Sequence, residues 1–276
     1  MLAPVKPWNL HYSDNSCQLF RSFGDPAKPT NLVFESLAPD SSMTMMVFGG
    51  ALTSKPTSDR AKATFLPAIG RTFDDGKVSE TTSDKKTAIH WSGVSLLPET
   101  EREKKDKDDD RVQSAARRAS NRTLEKNAAA TVTALQVTEP RGRAVVLQTG
   151  SLGKVMGMVR ECNREQMAGW GLDPAVQDRI VLDARPTRKL ASLFSDRDYP
   201  SGAIHNGDMS VVSARLIVGA DGKVTRCTPL TPFSGEGFKE VVCARLSKAV
   251  YEPAELADGT KVPTFVITRI DFRFPD

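Results

Sequence analysis

Residue types that can do chemistry are few in this chain, and they are scattered. His11 has Asp14, Ser13 and Ser16 as neighbours, the makings of a base and a nucleophile, but no G-x-S-x-G elbow presents a serine. His90 precedes Trp91 in a strand-like stretch, where a packed histidine is the simpler reading than a general base. His205 sits in Ile204-His205-Asn206-Gly207-Asp208, a turn-like run in which exposure explains it. Asp108-Asp109-Asp110 could attract a cation but lacks the alternating spacing and later glutamate of a calcium loop. Gly49-Gly50 and Gly150-x-x-Gly153 are too sparse to cradle a phosphate, with no Lys-Ser/Thr after them. No cofactor is implied, and a non-catalytic role is expected.

Composition narrows the field from the other side. Among 276 residues, 39% are hydrophobic and 26% charged, which is globular rather than disordered. The apolar runs are too short to span a bilayer, so no transmembrane segment is expected. The net charge of +4 is spread along the chain and makes no basic stripe, so nucleic acid is not an expected partner. Met1-Leu2-Ala3-Pro4 lacks the basic start and apolar stretch of a signal peptide, leaving either a cytosolic protein or one numbered from a mature end.

Cys17, Cys162, Cys227 and Cys243 include no C-x-x-C pair, which argues against a zinc ribbon or a thioredoxin-type site. Four cysteines permit three pairings, or none, and the elements around them decide. Strand candidates run over Trp8–Tyr12, Cys17–Phe23, Asn31–Ser36, Met43–Phe48, Ala63–Ile69 and Thr87–Trp91. Asp25-Pro26, Pro39-Asp40 and Asp74-Asp75-Gly76 read as the turns between them. From Glu99 to Arg111, 12 of 13 residues are charged, so this run is expected to be a solvated insertion. A helix over Arg111–Lys126 should follow, then a hairpin of Thr131–Thr138 and Arg143–Thr149. Ser151 can cap a second helix reaching about Gly169, whose stripe Leu152, Val155, Met156, Val159, Cys162 points to a core.

The last part of the chain is the most legible. Met209–Val218 alternates, Ala220-Asp221-Gly222 turns, and Lys223–Leu230 returns. Ser234 can cap a helix through Val250 with an apolar stripe of Phe238, Val241, Val242, Leu246 and Ala249. Val262–Phe274 then alternates Val266, Thr268, Ile270 and Phe272 against Arg269, Asp271 and Arg273. So small a unit needs a staple. Cys227 on its second strand and Cys243 within its helix supply one, which leaves Cys17 for Cys162. Two such disulfides favour an exported, oxidised protein over free thiols.

These residues carry a family resemblance. Tyr199-Pro200 and Ala203, Val211–Val218, Asp221-Gly222-Lys223-Val224, Ser234-Gly235, Pro253-Ala254 and the close at Asp271-Phe272 resemble the TonB C-terminal domain family, over residues 198–276 only. The resemblance implies a periplasmic domain whose last strand pairs with an extended peptide of an envelope protein. Carried onto this chain, the partner-binding residues are Val266, Ile267, Thr268, Arg269, Ile270, Asp271 and Arg273. The chain departs from the family in having no proline-rich spacer and in carrying Asp196-Arg197-Asp198 where a glutamine-proline would stand. The region with Thr149-Gly150-Ser151-Leu152 and Cys162 to Trp170-Gly171 resembles the leading part of uncharacterised bacterial proteins with a TonB-like tail.

The expected fold class is α+β. A mixed, β-rich N-terminal domain with one or two helices takes residues 1–190, with its charged insertion at 99–111. A small ββαβ TonB-like domain takes residues 198–276. Three functions compete: an exported, transport-related protein that binds an envelope partner, a hydrolase-like enzyme with its site in the N-terminal domain, and a purely structural envelope protein. A cleft with converging polar side chains would favour the enzyme, and a bare edge on the last strand the binder.

Overall fold

The computed structural model describes residues 1–39, 42–69, 71–81, 85–98, 114–230 and 237–274, without the side chains of 114–117. The charged run at 99–111 and the Ser234-Gly235 cap lie outside them. Two compact units emerge, one made of residues 1–98 and 118–166 and the other starting at Met167.

The first unit is built on one antiparallel sheet. Its strands are β1 (Asn9–Tyr12), β2 (Cys17–Phe23), β3 (Thr30–Ser36), β4 (Met43–Gly49), β5 (Thr57–Leu66), β6 (Thr72–Glu80), β7 (Thr87–Val94), β8 (Ala134–Thr138) and β9 (Ala144–Leu147). They lie in the order β1-β2-β3-β4-β7-β6-β5-β8-β9 and curl into a half-barrel. Alternation gives the sheet its buried face: in β3 Thr30, Leu32, Phe34 and Ser36 point inward and are buried, while the residues between them are half-buried. Each fully buried Leu or Phe contributes about 2 kcal/mol.

The N-terminal residues tie the two ends of this sheet. Leu2 donates to the Val146 carbonyl (2.7 Å) and accepts from Gln148, beside β9. Ala3 accepts from Gly24, and Val5 donates to Ser22 (2.9 Å), alongside β2. Arg21 fixes this segment by donating to the carbonyls of Lys6 (2.7 Å) and Thr149 (3.0 Å). Helices α1 (Ser114–Thr131) and α2 (Gly153–Gly169) follow β7 and β9. Leu152, Met156, Val159 and Cys162 join the sheet's core, and Cys17 is bonded to Cys162.

One strand contradicts its expected reading as a turn. Asp74-Asp75-Gly76 lies inside β6, where Asp74 and Asp75 together oppose Lys62, forming a bulge between the Ala61↔Gly76 and Ala63↔Phe73 pairs. Both aspartates face solvent. Gly76 is required by packing, because a Cβ there would sit 2.6 Å from the Trp91 indole.

The α+β expectation is overturned, because the chain is mostly β. Nor is the second unit a plain ββαβ domain. Short helices α3 (Pro174–Asp178) and α4 (Ser201–Asn206) precede a three-stranded sheet, β13-β12-β17, of β12 (Ser210–Val218), β13 (Val224–Pro229) and β17 (Thr264–Phe272). Helix α5 (Phe238–Leu246) packs on it through Phe238, Val242 and Leu246, and Cys227 is bonded to Cys243. Between α5 and β17, however, the chain forms β14 (Tyr251–Glu252), β15 (Ala254–Leu256) and β16 (Lys261–Val262). β14 pairs with β11 (Arg185–Pro186), while β15 pairs with β10 (Ile180–Leu182) and β16. Pro253 and Pro263 lack amide donors and break this stretch into pieces, which take their partners from residues ahead of the expected domain start.

Tyr251 offers a direct check on this packing. It is 3% exposed, its hydroxyl has no hydrogen-bond partner, and burial pushes its pKa up to about 12. Tyr251→Phe keeps the ring and removes an uncompensated polar atom, so it should raise stability by about 1 kcal/mol. Urea unfolding reads this as a higher midpoint, and a lower midpoint would show that the hydroxyl is satisfied in solution.

Candidate functional site

The expected partner-binding residues fall on β17 and just beyond it. Lys261 and Val262 do not belong to that strand, since they pair with β15, and the ladder to β12 runs from Thr264↔Val218 to Phe272↔Ser210. Val266, Thr268 and Ile270 share one face, and Val266 and Ile270 pack with Phe272 against the α5 core. Ile267, Arg269 and Asp271 share the other, with Arg273 following in phase.

The direction of the main-chain groups can be worked out from one bond. Leu230 donates to the Ser213 carbonyl (2.8 Å), so Ser213 turns its polar backbone toward β13. Neighbouring residues of an antiparallel strand alternate in this respect, so Ala214 faces β17 and Thr268, its partner, faces back. Ile267, Arg269 and Asp271 therefore direct N–H and C=O away from β12. Because β17 ends the sheet, these groups have no backbone partner among the described residues.

Both ends of this edge are anchored. At the start, Gln177 on α3 donates to the Pro263 carbonyl (2.8 Å) and accepts from the Thr264 hydroxyl (2.8 Å). Trp170 meets Phe265 edge-on with centroids 5.5 Å apart, and the Arg215 guanidinium lies 3.8 Å from the centre of the Trp170 ring. Burial first, and then Arg226, lower the Arg215 pKa to about 10, so it stays a cation at neutral pH. At the far end Tyr199 stacks on Phe274 at 5.0 Å and meets Phe272 and Phe238 edge-on. Tyr199-Pro200 thus serves as an aromatic hub. Between the anchors, Asp271 accepts from Arg269 (2.8 Å) and Arg273 (3.4 Å), which gives the outer face a cationic surplus.

Asp196-Arg197-Asp198 has a structural use. Asp198 is bonded to Arg245 of α5 and accepts from the Ser195 N–H (2.8 Å). Burial works to raise its pKa, but the bonds from Ser195 and Arg245 outweigh this and hold it below the usual aspartate value. The stability so gained is present above the ordinary carboxylate range and disappears as pH falls through the depressed value.

Trp170 and Gln177 carried no signal of this role in the sequence, although Asp173 before Pro174 is a readable helix cap. The tempting histidines are dispersed. His205 is exposed, with Nδ1 2.8 Å from the Ser201 carbonyl, and His90 lies on β7 between Met46 and Lys77. No helix among the described residues is long and apolar enough to cross a membrane. The two disulfides fit an oxidising, exported setting. No protein-family model matches the chain, and no curated protein does. The likeness to TonB tails therefore stays with the residues that carry it.

Proposed function

We propose that this protein is an envelope interaction protein that binds an extended segment of a partner protein along the outer edge of β17, adding a fourth strand to the β13-β12-β17 sheet. The observation that carries this reading is the row of outward N–H and C=O groups at Ile267, Arg269 and Asp271, on an edge anchored at both ends. Main-chain pairing would supply affinity, and the alternating side chains would set register. Arg269, Asp271 and Arg273 would favour a segment with acidic residues and discourage edge-to-edge self-association. The oxidising setting that the disulfides suit, together with the TonB resemblance of residues 198–276, supports a periplasmic partner in this reading.

Arg269→Pro tests the mechanism. The Arg269 amide points away from β12, so proline there removes an outward donor and costs the existing sheet no bond. The variant of the 276-residue chain should unfold at the wild-type denaturant midpoint. With a photo-reactive residue placed at position 267, it should cross-link envelope protein at least about tenfold less well than the same chain carrying Arg269. Undiminished capture by the folded variant would eliminate strand addition.

A further inference from the structure

The two faces of β17 are unlike, and a strand added to its edge would continue both. Side chains of an added strand alternate between the faces, each beside the β17 residue with which it pairs. The inner face is apolar and only partly roofed. α5 lies over β12 and β13, with the turn Leu190–Leu193 beside it. Phe194 follows that turn and meets Phe272 on β17 edge-on, with centroids 6.1 Å apart. Val266, Ile270, Leu193 and Phe194 nevertheless stay half-buried, and Phe274, in phase with Phe272, is 36% exposed. Because β17 ends the sheet, its inner row lacks the cross-strand neighbours that β12 has on both sides. Large apolar side chains on an added strand would supply them and remove this surface from water.

The outer face is cationic. Asp271 accepts from Arg269 and from Arg273, so two positive charges share one negative charge. The β12 residues paired with Arg269 and Asp271 are Ser213 and Val211, which bring no charge of their own. An acidic side chain opposite this surplus is favoured, and a basic one is repelled. Resting on the strand-addition reading, we propose that the partner's segment is amphipathic with a period of two. Its large apolar side chains lie toward Val266, Ile270 and Phe274, and its acidic side chains toward Arg269 and Arg273. A segment of the same composition with its apolar and acidic residues in separate blocks cannot match both faces at once. The edge therefore reads order as well as composition.

The test uses the oxidised 276-residue chain and dye-labelled peptides matching the 9 residues of β17, read by fluorescence anisotropy. A peptide alternating Val and Glu should bind saturably. Peptides alternating Val with Lys, or Ser with Glu, each spoil one face and should bind about tenfold or more weakly. A peptide with its valines and glutamates in separate blocks should be weakened to a similar extent. Arg269→Glu should reverse the order of the Val-Glu and Val-Lys peptides, and the comparisons on the wild type remain decisive if that variant folds poorly. Equal binding of the Val-Glu and Val-Lys peptides, or of the alternating and blocked ones, would overturn the proposal. So would the absence of saturable binding by any of them. Cross-linking through position 267 judges strand addition separately. Capture lost in Arg269→Pro, with all the peptides equal, would leave the edge in use and two-faced recognition wrong.

Discussion

Replacing both Cys17 and Cys162 by serine should lower the stability of the first unit by about 5 kcal/mol, the largest single effect expected in this protein. The two residues are 145 positions apart, and the entropy that a cross-link removes from the unfolded chain grows with the logarithm of the loop. The other bridge closes a separation of only 16, for which the same relation gives about 3 kcal/mol. Both Cys17 and Cys162 are fully buried, joining β2 to the α2 stripe, so the serines also place hydroxyls in an apolar core. A domain of this size commonly has only about 5–15 kcal/mol in hand, which leaves the double variant near the point of unfolding. Guanidinium unfolding, with a tryptophan signal for the first unit and the wild type as reference, checks this directly. A shift equal to that of the Cys227→Ser/Cys243→Ser variant would mean that loop length does not set the difference.

The bridges were legible because each joins elements that the sequence marks by strong periodicity. Cys162 lies on a stripe with helical spacing, and Cys17 opens an alternating strand. Legibility failed where a long-range contact overrides a local signal. Asp74-Asp75-Gly76 has the composition of a turn, yet the Trp91 indole needs the absent Cβ of Gly76, and the strand absorbs the extra residue as a bulge. Residues 2–5 carry no strand pattern at all, because their role is to supply backbone bonds between β9 and β2. Val262–Phe274 reads as one long strand, but Pro263 cannot donate to a ladder, so the strand starts at Thr264. The candidate site was legible as a strand and a face. Its outward amides depend on the pairing to β12, and its anchors on Trp170 and Gln177, both of which precede the TonB-like stretch that begins at residue 198.

Gly222→Ala should cost about 3 kcal/mol, and its neighbour in kind, Gly259→Ala, only about 1 kcal/mol. The two glycines follow Asp221 and Asp258 in turns with the same construction. Gly222 donates to Gly219 (2.9 Å) and Gly259 to Leu256 (2.9 Å). The next amide in each donates to the aspartate, Lys223 to Asp221 (3.0 Å) and Thr260 to Asp258 (2.9 Å). Their φ angles are +78° and +81°, so alanine bears the same left-handed strain in both. The surroundings differ. A Cβ on Gly259 meets nothing within 4 Å, whereas one on Gly222 would lie 2.1 Å from the Tyr251 carbonyl oxygen. Relieving that overlap must move the turn away from β14 and strain the bond from the Tyr251 N–H to the Gly222 carbonyl, now 2.8 Å. The difference of about 2 kcal/mol therefore measures the docking of the β12–β13 turn on β14, a contact that two identical Asp-Gly dipeptides cannot reveal. Paired denaturant curves on the two variants read it, and equal losses would show that the turn is free of β14 in solution.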